Sequence, residues 1–118
     1  MPIKADHLRK ARENESLAHK LDLALPSAAN WSITILFYVA VHLVEAFFSQ
    51  TSQHYKMHTN RVSAIGRDKQ IRAIYVDFRE LYTYSREARY EDKWFTPTDV
   101  GRIEPHLQAV KDVIEPLL

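Results

Sequence analysis

The sequence predicts an all-α protein, an up-and-down bundle of four long helices with one short helix added. Three observations predict this class. The chain has only two glycines and five prolines, its apolar residues recur at helical spacing, and no strand-like alternation lies between turn residues. Because 118 residues can bury a core without disulfides or metal, residues 1–118 are expected to form a single domain.

The first two helices are separated by Pro26. Residues 4–25 carry leucine and alanine at helical spacing among charged residues, which predicts an amphipathic helix that ends near this proline. Ser27 is the predicted N-cap of a second helix that runs to about Ser49. Because this second helix is apolar almost all round, we expect it to be the central and most buried element.

The second half of the chain begins with a polar connection, QTSQHYKMHTN. A short helix is predicted to start at Thr59 or Asn60 and to run through Ile65, with Gly66 ending it. A third long helix should cover residues 68–88. Its predicted core stripe consists of Ile71, Ile74, Phe78, Leu81, Ser85 and Ala88.

The last helix follows the loop RYEDKWF. Thr96 has the position of an N-cap, with Pro97 as the first helical residue and Asp99 in the first turn. Pro105 should kink or restart this helix, because its ring removes a backbone donor. The predicted buried face consists of Val100, Ile103, Leu107, Val110, Val113, Ile114 and Leu117.

Composition excludes several classes of site. The chain has no cysteine, which excludes disulfides and thiolate zinc sites, and its net charge of +1 gives no electrostatic case for tight duplex binding. No phosphate-binding glycine loop or hydrolase motif occurs, so no cofactor is expected. The start has no signal-peptide pattern, and the apolar run 33–48 is shorter than the roughly 20 residues that span a bilayer. A cytoplasmic protein without membrane contact is expected.

Three polar residues share one side of the apolar second helix. Tyr38, His42 and Glu45 are spaced i, i+4 and i+7, so they form one stripe, called here the polar seam. Buried polar groups need partners, so the favoured interpretation is a hydrogen-bond network between helices or subunits. The alternatives are a catalytic set, with His42 as general acid or base, and part of a metal site.

Two further histidines have the spacing of metal ligands. His54 and His58 would lie on one face if the segment HYKMH were helical. No third ligand sits at a diagnostic offset, so we expect loop histidines rather than a metal site.

The third long helix carries an alternating stripe of arginine and tyrosine. The favoured interpretation is a solvated flank in which Arg72 and Arg79 pair with Asp77 and Glu80, with tyrosine rings at the core edge. The alternative is a phosphate-gripping and base-stacking face. The stripe consists of Arg72, Tyr75, Arg79, Tyr82 and Arg86.

Three segments together carry a family resemblance. WSITILFYVAVHLVEAFF places Tyr38 before His42, KMHTNRVSAI contains Lys56 and His58, and SREARYEDKWFTPTDV contains Arg86, Ala88 and Tyr90. In their order and spacing these segments resemble short prokaryotic proteins of the HEPN superfamily, over about residues 25–117. Arg89 stands where many members of that superfamily have aspartate.

The resemblance implies a helical bundle that forms homodimers and belongs to toxin–antitoxin or defence systems, often beside a nucleotidyltransferase. Active members are metal-independent ribonucleases with an R-x(4-6)-H motif. Here no histidine follows Arg86 or Arg89 within six residues, and Arg102 and His106 have only three residues between them. Arg12 and His19 have six, but they lie in the first helix. The standard motif is therefore not found.

The resulting expectation is a non-catalytic or degenerate component that binds RNA, a nucleotide or a partner protein such as a nucleotidyltransferase. One alternative is a divergent ribonuclease, with His42 or His58 replacing the missing histidine and Arg86 or Arg89 stabilising charge. A weaker alternative is a metal-binding bundle that uses His54 and His58. The predicted cleft residues are Tyr38, His42, Glu45, His58, Arg86, Arg89 and Tyr90.

Overall fold

A computed structural model describes residues 2–118, and all of its regular structure is helical, which confirms the predicted class for that range. There are four longer helices, one shorter helix and two 3-10 turns. The helices are α1 (Lys4–Lys20), α2 (Ala28–Ser49), α3 (His58–Arg67), α4 (Tyr75–Tyr90) and α5 (Pro97–Ile114), and the 3-10 turns are Arg72–Ile74 and Glu115–Leu117.

Helix α2 is the centre of the fold, as its composition predicts. It packs against α1, α4 and α5, and Ile33, Leu36 and Phe37 are fully buried. By length and composition alone this helix could cross a membrane, but 78% of its most apolar 18-residue window is buried within the fold. These three helices cover the apolar surface of α2, as is usual for the core helix of a globular protein.

The first helix is shorter than the predicted range 4–25, because it ends at Lys20. The carboxylate of Asp22 accepts a hydrogen bond from the backbone N–H of Ala24 at 3.0 Å. Such local side-chain bonds compete with helical backbone bonds, so the chain turns before Pro26. Ser27 precedes α2 in the left-handed region, with φ of 67°, and its side chain makes no capping hydrogen bond, contrary to the predicted role.

The region between α3 and α4 also differs from prediction. The short helix starts at His58 and continues through Gly66 to Arg67, and regular α-helix resumes only at Tyr75. Between them the Asp68 carboxylate accepts hydrogen bonds from the backbone N–H groups of Gln70 and Ile71, at 2.8 and 3.3 Å. This aspartate turn interrupts the helix that was predicted to begin at residue 68.

Helix α5 begins as predicted and is not broken by Pro105. The Thr96 hydroxyl accepts a bond from the Asp99 N–H, and the Asp99 carboxylate accepts one from the Thr96 N–H. Pro105 and Gly101, whose carbonyl loses its helical partner to the proline, are both exposed. Water can therefore satisfy that carbonyl, and the helix continues.

Because α2 is buried, replacing leucine by alanine should cost more stability on α2 than on the exposed side of α1. Leu36→Ala should lower the free energy of unfolding by about 2–5 kcal/mol, because it empties a fully buried site. Leu17→Ala, at a side chain that is 49% exposed on α1, is the matched control and should cost much less. Urea unfolding of both variants measures the difference, and equal losses would contradict the central position of α2.

Candidate functional site

The three residues of the polar seam contact three different helices. Tyr38 is bonded to Arg89 of α4, His42 to His7 of α1, and Glu45 to Arg61 of α3. The seam is therefore a set of interhelical ties, and each tie positions a different part of the candidate site.

Glu45 and Arg61 form a buried ion pair, each with a residue exposure of only 4%. Arg61 Nε donates to Glu45 Oε1 at 2.7 Å, and the carboxylate also accepts from the backbone N–H of Tyr55 at 3.2 Å. The remaining arginine groups are bonded to the Tyr55 carbonyl and to His58 Nδ1, the latter at 2.7 Å. Both charges are thus compensated, as buried charges require.

The imidazoles of His7 and His42 meet side by side, with 3.1 Å between their Nδ1 atoms. One of the two nitrogens must carry the shared proton, so the contact fixes the tautomers of both rings together. Burial is the main cause that lowers the pKa of His42 to about 4. The nearby basic groups His7, Lys10 and Arg61 lower this pKa further. His42 is therefore neutral at pH 7.

His58 lies between the ion pair and the aromatic core. Its ring meets the edge of Phe37 at 5.0 Å and approaches Tyr82 at 5.4 Å, both measured between ring centroids. Burial and then the cations Arg61 and Arg89 lower the pKa of His58. Since Arg61 donates to Nδ1, the neutral ring carries its proton on Nε2.

Arg89 is held by its own helix and by α2. Its Nη1 donates to the Tyr38 hydroxyl at 2.7 Å, and its Nε and Nη2 donate to the carbonyl and hydroxyl of Ser85. The guanidinium carbon lies 5.5 Å from the centre of the Tyr38 ring and 5.1 Å from that of Tyr90. The cation is therefore placed between two aromatic faces, one inside the bundle and one outside.

A pocket of about 480 Å³ opens beside Arg89, and we call it the aromatic pocket. Trp31, Tyr90 and Trp94 are 60%, 76% and 69% exposed around it. Its lining residues are Ser27, Asn30, Trp31, Thr34, Ala88, Arg89, Tyr90, Glu91, Asp92, Lys93 and Trp94.

Asn30 fixes the loop that forms one wall of the aromatic pocket. Its amide nitrogen donates to the carbonyls of Ala88 and Lys93, at 3.1 and 2.8 Å, and its oxygen accepts from the Phe95 N–H at 2.9 Å. The side chain of Phe95 is buried. These bonds tie the loop to the start of α2, so the wall of the pocket is pre-formed.

A second, smaller pocket of about 210 Å³ lies where His42 contacts α1 and Glu45 contacts α3. We call it the histidine pocket. His42 and Glu45 line it together with His7, His54 and Arg61. The remaining lining residues are Pro2, Val41, Tyr55 and Lys56.

The predicted cleft residues are therefore divided between several places. Arg89 and Tyr90 line the aromatic pocket, and His42 and Glu45 line the histidine pocket. Tyr38 and His58 lie in the packed region where Arg89, Arg61 and the core rings meet. Arg86 is exposed, with its guanidinium carbon 5.8 Å from the centre of the Tyr82 ring.

Other sequence interpretations are changed by these contacts. His54 lies in the non-helical connection and approaches His7, whereas His58 begins α3 and bonds to Arg61, so the two do not share a helical face. Asp77 bonds to His106 at 2.9 Å rather than to the arginines, and Arg79 lies over the Tyr75 ring.

Sequence reasoning missed five residues on which the two pockets depend: His7, Asn30, Trp31, Arg61 and Trp94. Arg61 had a usable signal, because it falls on the same face of the short helix as Ala64 and Ile65, which are buried, and a buried Glu45 needs a cation. His7 and Asn30 carry no comparable signal, since their partners come from distant parts of the chain.

Comparison with models of protein families, with curated proteins and with solved structures finds no match for this chain. Its function is therefore inferred from the two pockets and from the motifs of the chain itself.

The buried ion pair predicts a strong effect of neutralising one partner. Glu45→Gln keeps the shape of the side chain but leaves the buried Arg61 charge unpaired, which should cost about 3–5 kcal/mol of unfolding free energy. Glu87→Gln, which breaks the surface pair of Glu87 and Lys93, is the matched control and should cost at most about 1 kcal/mol. Chemical denaturation measures both, and a Glu45→Gln loss as small as the control would contradict the role of the pair.

Proposed function

We propose that this chain is a cytoplasmic, HEPN-like up-and-down bundle of toxin–antitoxin or defence type that binds single-stranded RNA, or a nucleotide unit of it, without cleaving it. The observation that carries the proposal is the aromatic pocket, whose lining combines three exposed aromatic side chains with the guanidinium of Arg89. Large aromatic rings exposed to water around a cation are typical of sites that stack bases.

The aromatic residues account for base recognition. Trp31, Tyr90 and Trp94 are exposed at the pocket, and base–aromatic stacking does not depend on a particular base. The carboxylates of Glu91 and Asp92 line the same pocket and can accept hydrogen bonds from the N–H groups on a base edge. An unstacked base is therefore a good chemical match to this pocket.

The cations account for the phosphate. A guanidinium has five N–H groups, and Arg89 donates three hydrogen bonds within residues 2–118, so two N–H groups remain for a ligand. Lys93 lines the same pocket. The net charge of +1 gives no electrostatic case for tight duplex binding. Stacking on a few unpaired bases is the mode that suits this charge.

The same surface also has the residue types of a protein–protein interface. Exposed tryptophan, tyrosine and arginine are the residues that contribute most to protein interfaces. We therefore also propose that the aromatic pocket lies at or near a surface used by a second copy of the chain or by a nucleotidyltransferase partner, as the HEPN resemblance implies.

Both tryptophans of the chain line the aromatic pocket, so intrinsic fluorescence reports on it directly. Titration with single-stranded oligouridylate or oligoadenylate should quench this fluorescence saturably, and a duplex of equal length should do so weakly. In anisotropy measurements with labelled RNA, Trp94→Ala should weaken binding about 5- to 150-fold, because stacking is worth about 1–3 kcal/mol per base.

Val76→Ala is the control for this experiment, because Val76 is 64% exposed on α4 and does not line the aromatic pocket. It should leave RNA binding unchanged. Absence of RNA binding by the wild-type chain at low salt would overturn the RNA proposal. A wild-type dimer in sedimentation that Trp94→Ala dissociates would, in that case, assign the pocket to an interface between copies.

A second candidate function is the divergent, metal-independent ribonuclease, and the histidine pocket favours it. There the neutral His42 and the cationic Arg61 line one small pocket, so Arg61 takes the charge-stabilising role that the sequence predicts for Arg86 or Arg89. When His42 donates its Nδ1 proton to His7, its Nε2 has a free lone pair that can accept a proton from a ribose hydroxyl.

This second function predicts cleavage of single-stranded RNA in the presence of EDTA. Activity should disappear in His42→Ala and persist in His19→Ala, which changes an exposed histidine on α1. Gel analysis of labelled RNA measures both. Intact RNA after long incubation at high protein concentration would rule this function out and leave the binding role.

A further inference from the structure

Three side chains that can each ligate a metal ion meet in the histidine pocket from separate parts of the chain. His7 comes from α1, Glu45 from α2 and His54 from the connection between α2 and α3. Each offers one ligand atom, and these three atoms lie within 4.8 Å of one another. The set differs from the pair of His54 and His58 that the sequence spacing indicates.

An independent observation shows that one nitrogen of His7 in this cluster has no hydrogen-bond partner among residues 2–118. The residue is only 7% exposed, and this nitrogen, Nε2, is buried. Leaving a buried polar atom unpaired costs free energy, and such atoms in native structures call for an explanation. A ligand to this nitrogen supplies one.

We propose that His7, Glu45 and His54 form a binding site for a divalent transition-metal ion of the zinc type. Two imidazoles and one carboxylate are an established ligand set for zinc, with a fourth position left for water. The nitrogen and oxygen donors do not suit soft ions that require thiolates, and the two imidazoles favour zinc-type ions over magnesium or calcium.

The geometry requires a modest contraction around the ion. Zinc bonds to nitrogen and oxygen are about 2.0–2.1 Å long, so tetrahedral ligand atoms are about 3.3 Å apart. Separations of up to 4.8 Å must therefore close by up to about 1.5 Å. His54 can supply this movement, because it is half-buried and lies outside the helices, while His7 and Glu45 are held by packed helices.

Neighbouring groups already orient two of the ligands. If His7 donates its Nδ1 proton to His42 Nδ1, the buried His7 Nε2 carries the lone pair that a metal needs. Glu45 uses Oε1 for Arg61, while Oε2 has only a long bond of 3.4 Å from the Tyr55 N–H and is available to the ion. The nearby guanidinium repels a cation, so this site is weaker than a site without such a neighbour.

The experiment uses the full chain, purified without a histidine tag and stripped with EDTA. Equilibrium dialysis against Zn²⁺ should show one saturable site per chain. His54→Ala and His7→Gln should each weaken binding at least tenfold, while His19→Ala, which changes an exposed side chain on α1, should leave it unchanged. Circular dichroism checks that each variant is folded, and His54→Ala changes a residue outside the helices.

Co²⁺ gives a second measurement at the same site, because its visible spectrum reports the ligand set. The wild-type chain should give a spectrum of a nitrogen- and oxygen-ligated ion that His54→Ala abolishes. Absence of saturable Zn²⁺ binding by the wild-type chain overturns the proposal. Loss of binding in His58→Ala with binding retained in His7→Gln overturns it in favour of the pair that the sequence indicates.

Discussion

The buried pair of Glu45 and Arg61 is the interaction on which the rest of the site depends. Each residue is only 4% exposed, and together they bond both backbone groups of Tyr55 and the ring of His58. The pair thereby fastens the connection after α2 and the start of α3 to the central helix. Because an isolated charge would be costly at that depth, the two residues hold each other and everything bonded to them in one arrangement. The positions of His54, Tyr55 and His58 follow from it.

The neighbouring pair of His7 and His42 allows two states with different chemical consequences. If His7 carries the shared proton, its Nε2 is a metal ligand and His42 is an orienting acceptor. If His42 carries it, His42 Nε2 can act as a base toward a ribose hydroxyl. Metal binding and proton abstraction therefore require opposite tautomers of one histidine pair. A bound ion would select the first state, so the histidine pocket cannot serve both roles at once.

The sequence was sufficient for the helical class and for the polar stripe of α2, since both follow from spacing along one element. It was insufficient where a single side chain redirects the backbone. Asp22 and Asp68 each accept backbone hydrogen bonds that end or delay a helix, although the apolar pattern continues past them. The sequence also did not predict the residues that bond to the polar stripe, because His7 and His42 are 35 positions apart. Spacing predicts which residues share a face, but only packing decides what that face meets.

Helix α2 separates the two pockets as well as supporting them. Asn30 and Trp31 belong to its first turn, whereas His42 and Glu45 lie three to four turns later. With a rise of about 1.5 Å per residue, Asn30 and His42 are about 18 Å apart along the axis. A base held in the aromatic pocket therefore does not touch an ion or a proton acceptor in the histidine pocket. Any coupling must pass through the packed residues between them, where Tyr38 contacts both Arg89 and His58. Because that region is buried and filled with aromatic rings, the two pockets are expected to act as separate sites on one rigid helix.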